Sequence, residues 1–114
     1  MTEAEKLPTE ISVQQVDQLR KSDQPFCLLD VREPDEYQTA RLEGAVLLPM
    51  SELNQRLEEL KSHLQQRTIV YCHHGSRSLH VVMALRAKGY PNIQNMTGGI
   101  DRWSLQIDAE VPRY

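Results

Sequence analysis

Short apolar runs alternate along this chain with stretches in which apolar residues recur every three or four positions. The runs lie around Ile11, at 26–29, at 45–48 and at 68–71, and a fifth short strand is predicted at 93–96, after Gly89 and Pro91 end the preceding helix. Their length and their aliphatic or β-branched content are typical of short buried strands, whereas the stretches between them have the period of helices that bury one face. The alternation predicts an α/β domain in which helices cover both faces of a parallel sheet.

Helix boundaries can be read at two places. Ser12 and Gln15 have the spacing of a capping box, which predicts a helix over 13–21. Ser51 is a candidate cap for a longer helix that runs to about Gln65. That helix carries four leucines at spacings of four, three and four, which we interpret as core residues: Leu53, Leu57, Leu60 and Leu64.

Composition limits the size and the surroundings of the protein. With 114 residues, of which 39% are apolar and 25% charged, the chain can build one core. We therefore expect a single domain over 1–114 with loosely ordered ends at 1–8 and 109–114. The net charge of −3 comes from interspersed acidic and basic residues, so nucleic-acid binding is not expected. Residues 1–10 do not have the pattern of a secretion signal and no run has membrane-spanning length, which predicts a cytoplasmic protein without membrane association.

One thiol stands where a strand passes into a helix. The segment Cys72-His73-His74-Gly75-Ser76-Arg77 follows the strand at 68–71 and precedes a helical pattern over 78–88. In such a loop several backbone N–H groups point inward, and together with the helix dipole they favour an anion. The anion could be the thiolate itself, the outer sulfur of a persulfide, or a bound oxyanion. Cys27 lies in an apolar run and is expected to be a structural residue, and two free thiols favour a reducing compartment.

The pattern Cys72-x-x-Gly75-x-Arg77 at the start of a helix resembles the active-site loop of rhodanese-type sulfurtransferases. Other segments match the same family in order and spacing: Asp30-Val31-Arg32, Glu36-Tyr37 through Pro49, and Gly98-Gly99 followed by Trp103. The segment 40–44 departs from the family, because relatives often carry Gly-His-Ile-Pro-Gly there. The resemblance implies a three-layer rhodanese-like domain with a central, mainly parallel five-stranded sheet flanked by helices, and the five predicted strands fit that sheet.

The resemblance implies that Cys72 is the nucleophile, and the loop residues after it then have expected roles. His73 and His74 line the rim of the site, and Gly75 allows a backbone conformation that a Cβ would hinder. Arg77 either bonds loop carbonyls or neutralises the sulfonate of a donor such as thiosulfate. Hydroxyl hydrogen bonds to a sulfur anion are expected from two serines: Ser76 and Ser78. Supporting roles are expected of three residues outside the loop: Asp30 and Arg32 at a neighbouring strand end, and Trp103, which packs near the site and anchors the last helix.

The implied reaction moves sulfur in two steps. Cys72 takes the outer sulfur of thiosulfate and releases sulfite, and the persulfide then passes its sulfur to cyanide or to a cellular thiol such as thioredoxin or glutathione. No metal, nucleotide or organic cofactor is expected. The sequence carries no signal for the oligomeric state.

Other interpretations of the loop are a persulfide carrier and a non-catalytic sulfur-relay module that serves a partner protein. The carrier would use the same loop chemistry, whereas non-catalytic modules usually lack the cysteine. A cysteine phosphatase has five residues between its cysteine and arginine, and this chain has four, His73 to Ser76. A zinc site made by Cys72, His73, His74 and His80 is disfavoured, because adjacent residues of a tight loop tend to splay their side chains.

Overall fold

The computed structural model describes residues 7–114, except for the side chain of His63. Most of the expected loose amino end, residues 1–6, lies outside the described residues. Five strands follow one another along the described chain: β1 (Glu10–Ile11), β2 (Cys27–Asp30), β3 (Val46–Leu47), β4 (Thr68–Tyr71) and β5 (Ile93–Met96).

The strands form one parallel sheet in the order β1-β5-β4-β2-β3. The registers pair Asp30 with Tyr71 and Val70 with Asn95. The carboxyl ends of β2, β4 and β5 therefore meet at one edge of the sheet, which is where open α/β sheets bind ligands. The predicted fold class, a five-stranded parallel sheet flanked by helices, is confirmed.

Five α-helices connect the strands: α1 (Val13–Lys21), α2 (Pro34–Thr39), α3 (Leu53–Leu64), α4 (Ser76–Ala87) and α5 (Gly99–Gln106). The capping box at α1 is present, since the Ser12 hydroxyl accepts from the Gln15 N–H at 3.1 Å and the Gln15 side chain accepts from the Ser12 N–H at 3.1 Å. No helix within residues 7–114 is both long enough and apolar enough to cross a lipid bilayer.

Ser51 does not cap α3, which corrects the expectation from the sequence. It lies inside a 3₁₀ turn, Met50–Glu52, that leads directly into the helix. The Glu52 N–H bonds the carbonyl of Pro49 at 2.8 Å, so the backbone itself satisfies a donor at the start of the turn. The Ser51 hydroxyl is free to donate to the carboxylate of Glu33 at 3.0 Å instead.

Apolar side chains fill both faces of the sheet. Neighbouring strand residues alternate between the two clusters, as Leu28 and Leu29 do, and this alternation follows from the pleat of a strand. Helices α1 and α5 cover one cluster, whereas α3 and α4 cover the other. Each fully buried aliphatic side chain contributes about 1.5–3 kcal/mol. The two faces together give the three layers that hold the carboxyl edge of the sheet in place.

The carboxyl-terminal residues Arg113 and Tyr114 are tied to the domain, which differs from the expected loose end over 109–114. The Arg113 guanidinium donates to Asp101 of α5 at 2.8 Å. The Tyr114 hydroxyl accepts from Arg32 at 2.8 Å and donates to Glu36 at 2.8 Å. Hydrophobicity patterns do not detect such polar contacts, so the sequence reads as a loose end.

Candidate active site

The cysteine loop occupies the edge of the sheet between β4 and α4. Gly75 ends the loop with φ +105°, and α4 begins at the next residue, Ser76. The helix therefore starts two residues earlier than the sequence predicts, because the left-handed conformation of Gly75 turns the chain directly into it. A Cβ on Gly75 would lie 3.1 Å from the backbone nitrogen of Gly98. The close approach of these two backbones explains why glycine is needed here.

Hydrogen-bond donors converge on the sulfur of Cys72. The residue is 1% exposed, and its Sγ accepts from the N–H of Gly75 at 3.1 Å and from the N–H of Ser78 at 3.3 Å. The Ser78 hydroxyl also lies 3.3 Å from Sγ. Because these donors come from the first turn of a helix, the dipole of that helix adds to their effect. The arrangement favours a negatively charged sulfur at this position.

Ser78 is held in turn by Asn95 on the neighbouring strand β5. The Ser78 hydroxyl lies 2.5 Å from Oδ1 of Asn95, and the Asn95 amide nitrogen donates to Glu10 at 3.0 Å and to the Gly75 carbonyl at 3.2 Å. A hydroxyl has a single proton to donate, and its contact with Asn95 is shorter than its contact with Sγ. The Ser78 hydroxyl therefore donates to Asn95. Sequence reasoning missed Asn95, although two adjacent polar residues in a strand predicted to be buried, Gln94 and Asn95, were an available signal.

Helix α5 holds the loop from the other side. Its first N–H groups donate to loop carbonyls, from Ile100 to Cys72 at 2.9 Å and from Asp101 to His73 at 3.0 Å. A Cβ on Gly99 would lie 2.5 Å from both of these carbonyl oxygens. The glycine pair therefore lets the start of α5 approach the loop closely enough to bond it.

Arg77 pairs with Glu36 of α2. The two guanidinium nitrogens donate to the two carboxylate oxygens at 2.7 and 2.9 Å. This replaces the expected bonds to loop carbonyls, because a carboxylate matches the planar fork of arginine better than single carbonyls do. The hydrogen bond from Arg77 lowers the pKa of Glu36 to about 2, and the same pair raises the pKa of Arg77. Glu36 was not among the predicted site residues.

Asp30 and Arg32 form a fully buried ion pair at the end of β2. Arg32 donates to both carboxylate oxygens of Asp30, at 3.0 and 2.7 Å, and to the carbonyl of Ala40 at 2.6 Å. A buried pair that is hydrogen-bonded in this way fixes its surroundings, since removing one partner would leave an uncompensated charge. The pair reaches the cysteine loop through Tyr114 and Glu36 rather than by direct contact.

Three aromatic rings stack beside the loop. The ring of His73 lies 3.9 Å from that of His74 on one side and 3.9 Å from that of Tyr114 on the other. Nε2 of His73 is buried and has no hydrogen-bond partner among the described residues. Burial, followed by the nearby His74, lowers the pKa of His73. His74 is on the exposed rim, with 64% of its side chain accessible.

The histidines do not form a convincing metal centre. Ligand atoms of His73, His74 and Asp101 lie within 4.8 Å of one another, and among residues 7–114 this cluster includes neither Cys72 nor His80. Stacked imidazole rings direct their in-plane lone pairs side by side rather than toward a common ion. Asp101 is also engaged by Arg113. The two rings stack instead of splaying, which differs from the expectation, but the zinc ligand set considered from the sequence, with Cys72 and His80, is not brought together among the described residues.

Trp103 anchors helix α5 rather than lining the loop. It is 5% exposed and packs in the core cluster on the face of α1, while Cys72 belongs to the cluster on the opposite face. The guanidinium of Arg20 lies 5.4 Å from its ring, in the range of a cation–π contact. Trp103 thus acts on the site through the helix whose start bonds the loop.

The five-stranded parallel sheet, with a cysteine loop at its carboxyl edge, defines a class of α/β domains. Residues 12–106 match the model of the rhodanese-like domain. The chain belongs to the rhodanese-like family, and the resemblance noted in its sequence is confirmed.

Relatives of this chain include larger proteins. It is 36% identical over 89 residues, 76% of the chain, to the rhodanese-like/PpiC domain-containing protein 12 of Arabidopsis thaliana, and 29% identical over 109 residues, 91% of the chain, to an adenylyltransferase and sulfurtransferase of Zea mays. It spans only 30% and 23% of the length of these two relatives. A crystal structure of a thiosulfate sulfurtransferase from Pseudomonas aeruginosa superimposes with a TM-score of 0.75 at 32% identity, covering 90% of this chain and 20% of that one.

Proposed function

We propose that this protein is a sulfurtransferase that carries sulfur on Cys72 from a donor such as thiosulfate to cyanide or to a cellular thiol. The convergence of the Gly75 and Ser78 N–H groups on Sγ of Cys72 is the observation that carries the proposal. A buried sulfur surrounded by donors is suited to being an anion that attacks and later leaves. Sulfurtransferases among the relatives support the same chemistry.

The first step loads the cysteine. The Cys72 thiolate attacks the outer sulfur of thiosulfate, a new S–S bond forms, and the original S–S bond breaks so that sulfite leaves with its electron pair. The thiol proton has been released to solvent before the attack. The persulfide that remains carries its outer sulfur inside the same loop, where the backbone N–H groups can donate to it.

The second step unloads the cysteine. Cyanide, or the thiolate of an acceptor, attacks the outer sulfur, and the Cys72 thiolate leaves as the S–S bond breaks. The donors that stabilised the nucleophile in the first step now stabilise the leaving group. The products are thiocyanate or a persulfide on the acceptor. Both steps balance without a metal, a nucleotide or an organic cofactor.

A persulfide carrier that delivers sulfur to a dedicated protein is the second candidate. The Zea mays relative is named for both adenylyl transfer and sulfur transfer, and this chain spans only 23% of it. Such a domain would deliver its sulfur to a partner protein with the same Cys72 chemistry.

The phosphatase alternative is disfavoured, because four residues between Cys72 and Arg77 leave a smaller cradle and because Arg77 faces Glu36. The two free thiols support a reducing, cytoplasmic setting.

Mass spectrometry of the intact protein tests the proposal directly. After incubation with thiosulfate and removal of the donor, we expect one added sulfur, which disappears on treatment with cyanide. Cys72→Ser should abolish both the added mass and thiocyanate formation.

Cys27→Ser is the matched control, because Cys27 is also a buried free thiol but lies in a strand, where burial raises its pKa. It should keep most of the activity. Equal loss in both variants, or no added sulfur on the wild type, would contradict the assignment.

A further inference from the structure

Tyr114 joins the two ends of the cysteine loop. Its ring stacks on His73, the residue after Cys72, at 3.9 Å and an interplanar angle of 10°. Its hydroxyl donates to Glu36 at 2.8 Å, and Glu36 holds Arg77 at the other end of the loop. A continuous path of side chains therefore runs beside the loop from its first residue to its last.

Tyr114 is also held by Arg32 at the end of β2 and, through the neighbouring Arg113, by helix α5. Arg32, which is fully buried and paired with Asp30, donates to the Tyr114 hydroxyl at 2.8 Å. The residue before Tyr114, Arg113, is held by its pair with Asp101. The ring of Tyr114 consequently has a defined position against His73, and Nε2 of His73 is shielded beside it.

We propose that Tyr114 is a specificity-determining residue that narrows the approach to Cys72. Small nucleophiles reach the sulfur with Tyr114 in place, whereas bulky thiol acceptors need the ring to move away from His73. This inference rests on the proposed function, because it concerns which acceptor takes sulfur from the Cys72 persulfide.

The contacts of Tyr114 are suited to a barrier that can be displaced. Tyr114 is 42% exposed, and the side chain of Arg113 in the adjacent pair is 58% exposed. Ion pairs and hydrogen bonds that solvent can replace contribute little individually. The bond from the buried Arg32 sets the resting position of the hydroxyl, whereas the exposed contacts of the ring and of Arg113 are the ones that an acceptor on the rim can replace.

Two substitutions separate the ring from its hydroxyl. Tyr114→Ala removes both the stacking and the hydrogen bonds, so we expect the widest approach to Cys72. Tyr114→Phe keeps the ring but loses the bonds to Arg32 and Glu36, so we expect an intermediate effect. Tyr90→Ala is the control, because Tyr90 follows the carboxyl end of α4, whereas the loop precedes its amino end, and the substitution should leave the choice of acceptor unchanged.

Acceptor kinetics provide the first measurement. With the persulfide formed from thiosulfate, Tyr114→Ala should raise kcat/KM for glutathione severalfold, mainly through a lower KM, and should leave kcat/KM for cyanide near the wild-type value. A change of the same size for both acceptors would overturn the proposal, since a general loss of loop structure does not discriminate between nucleophiles by size.

Alkylation of the resting protein provides a measurement that does not depend on sulfur transfer. The rate of Cys72 modification is compared for iodoacetamide and for a bulky maleimide, with peptide mapping to exclude Cys27. Tyr114→Ala should raise the ratio of the bulky to the small reagent severalfold, with Tyr114→Phe between it and the wild type. An unchanged ratio of the two alkylation rates overturns the role of Tyr114. Failure of the wild type to form a persulfide overturns the proposed function instead, and the alkylation ratio then still decides whether Tyr114 narrows the approach to Cys72.

Discussion

The hydroxyl of Ser78 lies 2.5 Å from Oδ1 of Asn95, closer than its 3.3 Å separation from Sγ of Cys72. Since both residues are buried, no solvent competes for this contact. Asn95 therefore orients the hydroxyl beside the Cys72 sulfur. Its amide nitrogen also bonds the carbonyl of Gly75 at 3.2 Å, so one side chain positions two of the groups that surround Cys72.

Replacement of Asn95 by leucine should slow thiosulfate-dependent transfer by about one order of magnitude, because the Ser78 hydroxyl and the Gly75 turn lose their positions. The unpaired groups left behind should also lower the free energy of unfolding by about 1–3 kcal/mol. Initial rates of thiocyanate formation and urea unfolding measure the two effects. Asn92→Ala, in the turn immediately before β5, is the control.

A double-mutant cycle separates positioning from general destabilisation. If Asn95 acts through Ser78, the effect of Asn95→Leu on the rate should become much smaller in a Ser78→Ala background. Fully additive effects of the two substitutions on the rate would contradict a role of Asn95 in orienting Ser78.

Gly99→Ala should damage the cysteine loop more than a substitution at another glycine with positive φ. The new Cβ would lie 2.5 Å from the carbonyl oxygens of Cys72 and His73, so α5 must move away from the loop it bonds. Gly44→Ala is the matched control, because Gly44 has φ +83° with nothing within 4 Å of the added carbon. Backbone strain alone costs about 1–3 kcal/mol in both variants.

We therefore expect Gly99→Ala to lose more unfolding free energy than Gly44→Ala, together with most of its sulfur transfer. Chemical denaturation and transfer assays at a temperature where both variants are folded measure the difference. Equal destabilisation with intact transfer in both would show that the approach of α5 to the loop does not matter.

The pair of Glu36 and Arg77 should make part of the free energy of unfolding depend on pH in the acidic range. The hydrogen bond from Arg77 lowers the pKa of Glu36 to about 2. The pKa of a glutamate in the unfolded chain is about 4.3. The stabilising contribution of Glu36 is present above the unfolded value and is lost as the pH falls through the folded value. The wild type should therefore lose Tm as the pH falls from neutral to about 2–3, and Glu36→Gln should lose less over the same range.

Glu58→Gln is the control for this comparison, because the Glu58 side chain is 83% exposed in its pair with Lys61. It should leave the acid dependence near that of the wild type. The assignment of the acid-labile contribution to Glu36 would be wrong if both variants kept the full wild-type dependence of Tm on pH.

Loop length should decide between sulfur and phosphate chemistry. With four residues between Cys72 and Arg77, thiosulfate should leave a single added sulfur on the protein, and aryl phosphates should give neither turnover nor a phosphocysteine. Insertion of one glycine between Gly75 and Ser76 enlarges the ring of N–H groups, so we expect weaker sulfur transfer. Hydrolysis of an aryl phosphate by the wild type at rates comparable to sulfur transfer, lost in Cys72→Ser, would favour a phosphatase instead.

The sequence by itself determined the main elements of the fold and the place of Cys72 between a strand and a helix. The period of apolar residues predicts a strand over 68–71, and Ser12 with Gln15 predicts the start of α1. Both features depend on residues a few positions apart, where backbone geometry links pattern to structure directly. The position of Cys72 between a strand and a helix follows from the same local signals.

Only the tertiary structure decided which side chains surround the cysteine loop. Asn95 bonds a residue 17 positions away, Glu36 pairs with Arg77 across 41 positions, and Tyr114 bonds Glu36 across 78. These contacts exist because the sheet order places the ends of β5, β4 and β2 side by side. Periodicity records which face of an element is buried, but it does not record which elements become neighbours. The partners of Ser78 and Arg77 were therefore set by the packing of the sheet.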